Sequence, residues 1–111
     1  MREDEFERKE GLARLTYAAE IFLRTINMYC GAWYRLRSVG PVLRDEQQIS
    51  RQELRAALDY LQERGYIDVR TVKDRAEVKI TDHPLEELEC KLLPDGLALL
   101  AGKLNDPLVK P

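Results

Sequence analysis

Histidine is almost missing from this chain: His83 is the only one in 111 residues, and cysteine is limited to Cys30 and Cys90. A histidine-containing zinc cluster or a Ser-His-Asp triad therefore has almost nothing to be built from. Glycine-rich phosphate loops, metal-ligand spacings and nucleophile–base pairs are absent as well, so neither a cofactor nor an enzyme is expected. No apolar run approaches the roughly 20 residues that span a bilayer. The acidic stretch Met1 to Glu10 has neither the basic nor the hydrophobic region of a signal peptide. The expectation is a cytoplasmic protein with no membrane partner, whose two cysteines are reduced, small buried hydrophobes. Aromatics are sparse, and Trp33, Tyr34, Tyr60 and Tyr66 read as core or interface anchors, because base-stacking platforms come with a denser basic groove.

Charge is abundant and unevenly placed. The formal net charge is −2, yet residues 11 to 80 carry 12 basic and 9 acidic side chains, while both ends are acidic. A mildly basic middle permits a phosphate-contacting face, and an ordinary solvated surface of mixed charge fits it equally well. A chain of this length forms one domain, burying about two thirds of its unfolded surface.

The densest information lies between Ser50 and Ile80. Ser50 with Glu53 three residues later is a capping-box pattern. Leu54, Ala57, Leu58 and Leu61 then follow at helical spacing, and Gly65 supplies a left-handed stop. A helix over 51–64 is expected. After it Ile67 and Val69 alternate with charged residues, Lys73, Asp74 and Arg75 interrupt, and Val78 and Ile80 alternate again. Period two on both sides of a polar turn predicts an antiparallel hairpin.

Around this segment, Leu12, Leu15, Ala19, Phe22, Ile26, Tyr29, Trp33 and Leu36 continue one apolar helical stripe, with a break placed near Gly31. The stripe is long for so small a domain, so either a second copy of the chain covers part of it or it packs within the chain. Gly40 and Pro41 predict a boundary and a short helix from Pro41 to about Gln47, which with the next helix makes a helix-turn-helix. Arg44 stands where a small residue usually sits in such a pair, and Gln48 replaces the common turn glycine. Residues 85–93 fit a third strand through Leu88, Cys90 and Leu92 or a short helix through Leu85, Leu88 and Leu92. Asp95 is expected to cap a last helix through Leu97, Leu100, Ala101 and Leu104, and Pro107 and Pro111 to leave an extended tail.

In this order the elements resemble a winged helix-turn-helix domain of the bacterial regulator type. The run from Ser50 to Ile67, the block Lys91 to Gly102 and the closing Asp106-Pro-Leu-Val-Lys-Pro are similar to small winged-helix proteins of Mu-like prophages. This chain carries extra hairpin length between those blocks. The resemblance implies an α+β winged helix-turn-helix with an N-terminal helical extension and a two- or three-stranded antiparallel wing. Its parts are a helical region at 1–37 that is a candidate dimerisation element, the helix-turn-helix, wing and last helix at 38–104, and a tail at 105–111.

For such a domain the leading expectation is double-stranded DNA binding in phage-type transcriptional control by a homodimer. Arg51, Gln52 and Arg55 would enter the major groove from the helix at 51–64. Arg70, Lys73, Arg75 and Lys79 of the wing would lie on phosphates. Asp59 and Glu63 on the same helix would repel phosphate, and cross-strand ion pairs with Asp68, Asp74 and Glu77 explain the wing charges equally well. The alternative is a non-enzymatic adaptor that turns the helix and wing to another protein. A weaker third reading is a regulator with a small-molecule pocket beside Trp33.

Overall fold

The computed structural model describes residues 2–28 and 31–109, with side chains from residue 10 onward. The stripe of apolar residues folds as a helix, α1, over Arg2–Asn27. It buries Ala18, Ala19, Phe22, Leu23 and Ile26 and lies along α3 (Arg51–Glu63), which answers with buried Leu54, Ala57, Leu58 and Leu61. That part of the stripe is covered within the chain. Trp33 lies in the connection that follows and Leu36 opens the next helix: α1 stops at Asn27, and Gly31 turns the chain with φ +83°. Tyr29 and Cys30 fall outside the described residues.

Two residues of strand β1 (Tyr34–Arg35) lead directly into α2 (Leu36–Glu46). The boundary expected at Gly40 and Pro41 is instead the middle of α2. Pro41 removes one hydrogen-bond donor from the helix interior; the buried face of Leu36, Val39 and Leu43 holds the helix together across it. The turn to α3 passes through Gln48 at φ +55°, the left-handed conformation that a glycine would adopt without strain.

α3 begins and ends as its sequence dictates. Ser50 Oγ accepts from Glu53 N–H at 3.1 Å while Ser50 N–H donates to Glu53 Oε1 at 2.9 Å, closing the capping box. At the other end Gly65 takes φ +76°, and Tyr66 N–H returns to Leu61 O at 3.0 Å.

The sheet differs from the expected hairpin. β2 (Ile67–Thr71) pairs antiparallel with β3 (Leu88–Leu92), in a register that sets Val69 opposite Cys90, and β1 flanks β3 on its other side. Residues 72–79 form an excursion held by a single bridge, Arg70 to Glu77, and by Thr71 N–H to Ala76 O and Val78 N–H to Val69 O. The returning arm has a second partner: Gln62 of α3 donates to Val78 O at 2.7 Å and accepts from Ile80 N–H at 2.9 Å. The returning arm thus pairs with β2 only as far as Glu77 and Val78, and Ile80–Asp82 turns as a 3₁₀ element. A second 3₁₀ turn, Leu85–Glu87, precedes β3, so the ambiguity over 85–93 resolves as a turn followed by a strand.

The last helix, α4 (Pro94–Leu100), starts one residue before the expected cap. Pro94 occupies its first position, Leu93 precedes it, and Asp95 lies in the first turn without capping. Leu104 lies beyond it and is partly exposed, and Asp106 and Val109 of the expected tail are buried. Among the described residues the chain is therefore α+β, with four α-helices and one three-stranded antiparallel sheet. None of those helices is long and apolar enough to cross a membrane.

Candidate functional site

The start of α3 is bolted to α1. Arg14 forms an ion pair with Glu53, with its Nη2 3.2 Å from Oε1, and donates to Gln48 O at 2.7 Å. The Arg14 guanidinium together with the Ser50 bonds holds the Glu53 carboxyl down to about 2. This contact fixes the face on which Arg51, Gln52 and Arg55 stand, and no periodicity announces it, because an exposed arginine and a capping glutamate have ordinary roles of their own.

The residues expected on that face have separate fates. Arg51 is exposed and forms a two-pronged ion pair with Glu86, the second contact at 2.9 Å, which holds the Glu86 carboxyl down to about 2. Gln52 is exposed. Arg55 is half-buried and its Nη2 donates to the carbonyls of Ile80 at 3.1 Å and His83 at 3.0 Å, with a longer contact to Thr81 at 3.4 Å. Arg55 thus straps α3 to the turn after the excursion. What α3 leaves open is a strip through exposed Gln52, Ala56 and Glu63 and half-buried Asp59, in which the only formal charges are negative.

The excursion is divided in the same way. Arg70 pairs across the sheet with its register partner Glu89, Nε to Oε2 at 2.5 Å, and its guanidinium lies 3.7 Å from the centroid of the Trp33 ring. The face of Trp33, where a small-molecule pocket was expected, is covered by that arginine. Lys73, Arg75 and Lys79 are exposed and make no ion pair among the described residues. Arg75 sits at φ +55° in the turn.

A cleft of about 300 Å³ opens beside Arg51, between α2, the start of α3 and the Leu85–Glu87 turn. Its floor is Leu36, Ile49, Leu54 and Leu85, and Arg37 and Arg44 stand at its edge. Nothing in the sequence periodicity marks it, since the four floor residues read simply as core.

His83 Nδ1 lies 3.8 Å from Glu87 Oε2. Cys90 is buried and free, and burial pushes its thiol well above the ordinary range. Among the described residues no group of three or more His, Cys, Asp or Glu side chains is placed to hold a metal ion. Compared with family models, curated proteins and solved structures, the chain matches none of them.

Proposed function

We propose that this chain is a winged-helix adaptor: a non-enzymatic module that docks onto another protein with the surface formed by α2, α3 and the turn before β3. The observation that carries the reading is the engagement of Arg51, Arg55 and Arg70 by groups of the chain itself. A hydrogen bond from a charged donor contributes about 1.5–3 kcal/mol. Withdrawing Arg55 to a phosphate would forfeit two such bonds, which exceeds what one exposed phosphate contact returns. Arg51 is freer, since an exposed ion pair contributes about 0–1 kcal/mol, but Glu86 would then face the phosphate. With Asp59 and Glu63 on the open strip, α3 presents a duplex with repulsion along half its length. A protein partner meets no such penalty.

The second reading, a prophage-type DNA-binding regulator, keeps one specific support: Lys73, Arg75 and Lys79 are exposed cations on the 72–79 excursion, available as sequence-blind phosphate contacts. Titration of duplex fragments from the chain's own locus at two salt concentrations separates the two. The adaptor reading expects no salt-sensitive retention at micromolar protein. A salt slope that falls by about one counterion in Lys73→Ala or Arg75→Ala establishes the DNA reading instead.

Self-association belongs to the same proposal. Leu12 on α1 is 49% exposed, and a homodimer through that end of the helix would cover it. Light scattering should give twice the chain mass, returning to the monomer value in Leu12→Glu; a monomeric parent chain removes this part of the reading.

A further inference from the structure

The cleft beside Arg51 combines an apolar floor with a cationic edge, and this pairing has a definite complement. We propose that it is the docking site for an extended acidic peptide segment of a partner protein, with one large apolar side chain seated on the floor between flanking carboxylates. The inference rests on the adaptor reading and names the chemistry of its partner.

The floor comes from three elements: Leu36 of α2, Ile49 and Leu54 around the start of α3, and Leu85 of the turn before β3. Each is at most 5% exposed, yet together they bound an open volume of about 300 Å³. That space accepts one large side chain. Arg37 and Arg44 stand two turns apart on α2, which at 1.5 Å per residue is about 10 Å along the helix. In an extended peptide side chains alternate faces, so carboxylates two positions on either side of a central apolar residue share its face and stand about 13 Å apart at about 3.3 Å per residue, a span that the two long arginine side chains can reach. Arg37 has no acidic partner among the described residues. Arg44 reaches only its neighbour Asp45, at 3.5 Å with both side chains largely exposed, so it is released at little cost. Arg51 closes the far side, already neutralised by Glu86. The edge therefore carries two available positive charges and selects against a basic segment.

Gly40 lies on α2 between the two arginines and lines the cleft. A Cβ placed there meets no atom within 4 Å beyond its chain neighbours, so the surrounding fold leaves room for a larger residue whose side chain fills the entrance, while ahead of Pro41 the helix gain over glycine is offset by the contact of a Cβ with the proline ring. Gly40→Leu, checked for cooperative unfolding, separates blocked binding from failed folding.

The test is fluorescence anisotropy with a panel of labelled decapeptides of alanine and glutamate, each with a single central leucine, phenylalanine, tryptophan or methionine. At least one should bind saturably. Binding should fall tenfold or more in Arg37→Glu/Arg44→Glu and in Gly40→Leu, with both variants still unfolding cooperatively as the parent chain does. It should also fall when the central residue of the peptide is serine or its glutamates are lysines. Failure of every peptide to bind, or binding indifferent to these changes, overturns the proposal. If the chain also ignores duplex DNA, the adaptor reading survives that failure; if it retains DNA in a salt-sensitive way while refusing the peptides, both fall.

Discussion

Tyr66 donates its hydroxyl to Asp106 at 2.6 Å, joining the residue that enters β2 to one that follows the last helix. The same carboxylate accepts from Tyr60 Oη at 2.7 Å, Arg64 Nε at 3.1 Å and the amides of Leu108 and Val109 at 2.8 and 3.0 Å. Its side chain is wholly buried. Five donors on one carboxylate fasten the segment after α4 to the end of α3, and Val109 completes the core there.

Removing this acceptor should be costly. Asp106→Ala leaves the buried Tyr66 hydroxyl and two amides without their partner, and losing one member of a buried charged network costs about 3–5 kcal/mol. Tyr66→Phe removes one donor only and should cost about 1 kcal/mol. Urea denaturation of the two variants should show that order, with the midpoint of Asp106→Ala much the lower.

The network also sets how stability responds to pH. Burial alone would raise the Asp106 carboxyl, but the bonds from Tyr66, Tyr60 and the two amides outweigh it and hold the group well below the ordinary carboxylate range. A folded-state value below the unfolded one contributes stability that is present above the ordinary value of 3.8 and lost as pH falls beneath it. For Tyr60 the sign is opposite: burial and the Asp106 bond push its phenol up to about 12. That contribution is present below pH 10, the ordinary value, and lost as pH rises toward about 12. Thermal midpoints across both windows should decline at each end, and the acid decline should be shallower in Asp106→Asn.

Much of the architecture is legible locally, because its determinants are local. Ser50 and Glu53 fix the start of α3, Gly65 fixes its end, and alternation marks β2 as a strand, while over 85–93 it fits a strand or a short helix alike. What escapes is pairing over distance. The period of Val78 and Ile80 suits a strand, but the pairing with β2 ends at Val78, and the Gln62 side chain takes the Ile80 amide because of how α3 lies over the turn. The candidate site escapes for a related reason. An arginine reads the same whether it faces a phosphate, as expected of Arg51, Arg55 and Arg70, or a carboxylate and carbonyls of its own chain, as found. Asp106 looked like tail because only Tyr60, Arg64 and Tyr66, remote in sequence, make it a structural residue.

Gly96 gives a steric prediction. A Cβ at this position in α4 would stand 2.3 Å from the carbonyl oxygen of Tyr66 and 2.7 Å from Leu92 Cδ1. The first neighbour is backbone and cannot swing aside. Gly96→Ala, although favoured by helix propensity, should therefore destabilise the chain by about 1–3 kcal/mol. A Tm equal to or above that of the parent chain would show that α4 can shift away from β2 without loss.

Arg55 allows the two functional readings to be compared on one residue. If its work is structural, Arg55→Ala removes the bonds to Ile80 O and His83 O and frees the turn at 80–83 from α3. The expected loss is about 2–4 kcal/mol, with faster amide exchange at the returning arm, where Ile80 N–H meets Gln62. Lys73→Ala and Arg75→Ala, exposed and unpaired among the described residues, should stay within about 0.5 kcal/mol of the parent chain. Under the DNA reading Arg55→Ala would in addition weaken duplex retention by about 1–3 kcal/mol. Urea denaturation, hydrogen exchange and duplex titration on the same three variants decide between them. A destabilised Arg55→Ala that binds duplex no differently from its parent places this arginine in the fold and leaves α3 free to face a protein.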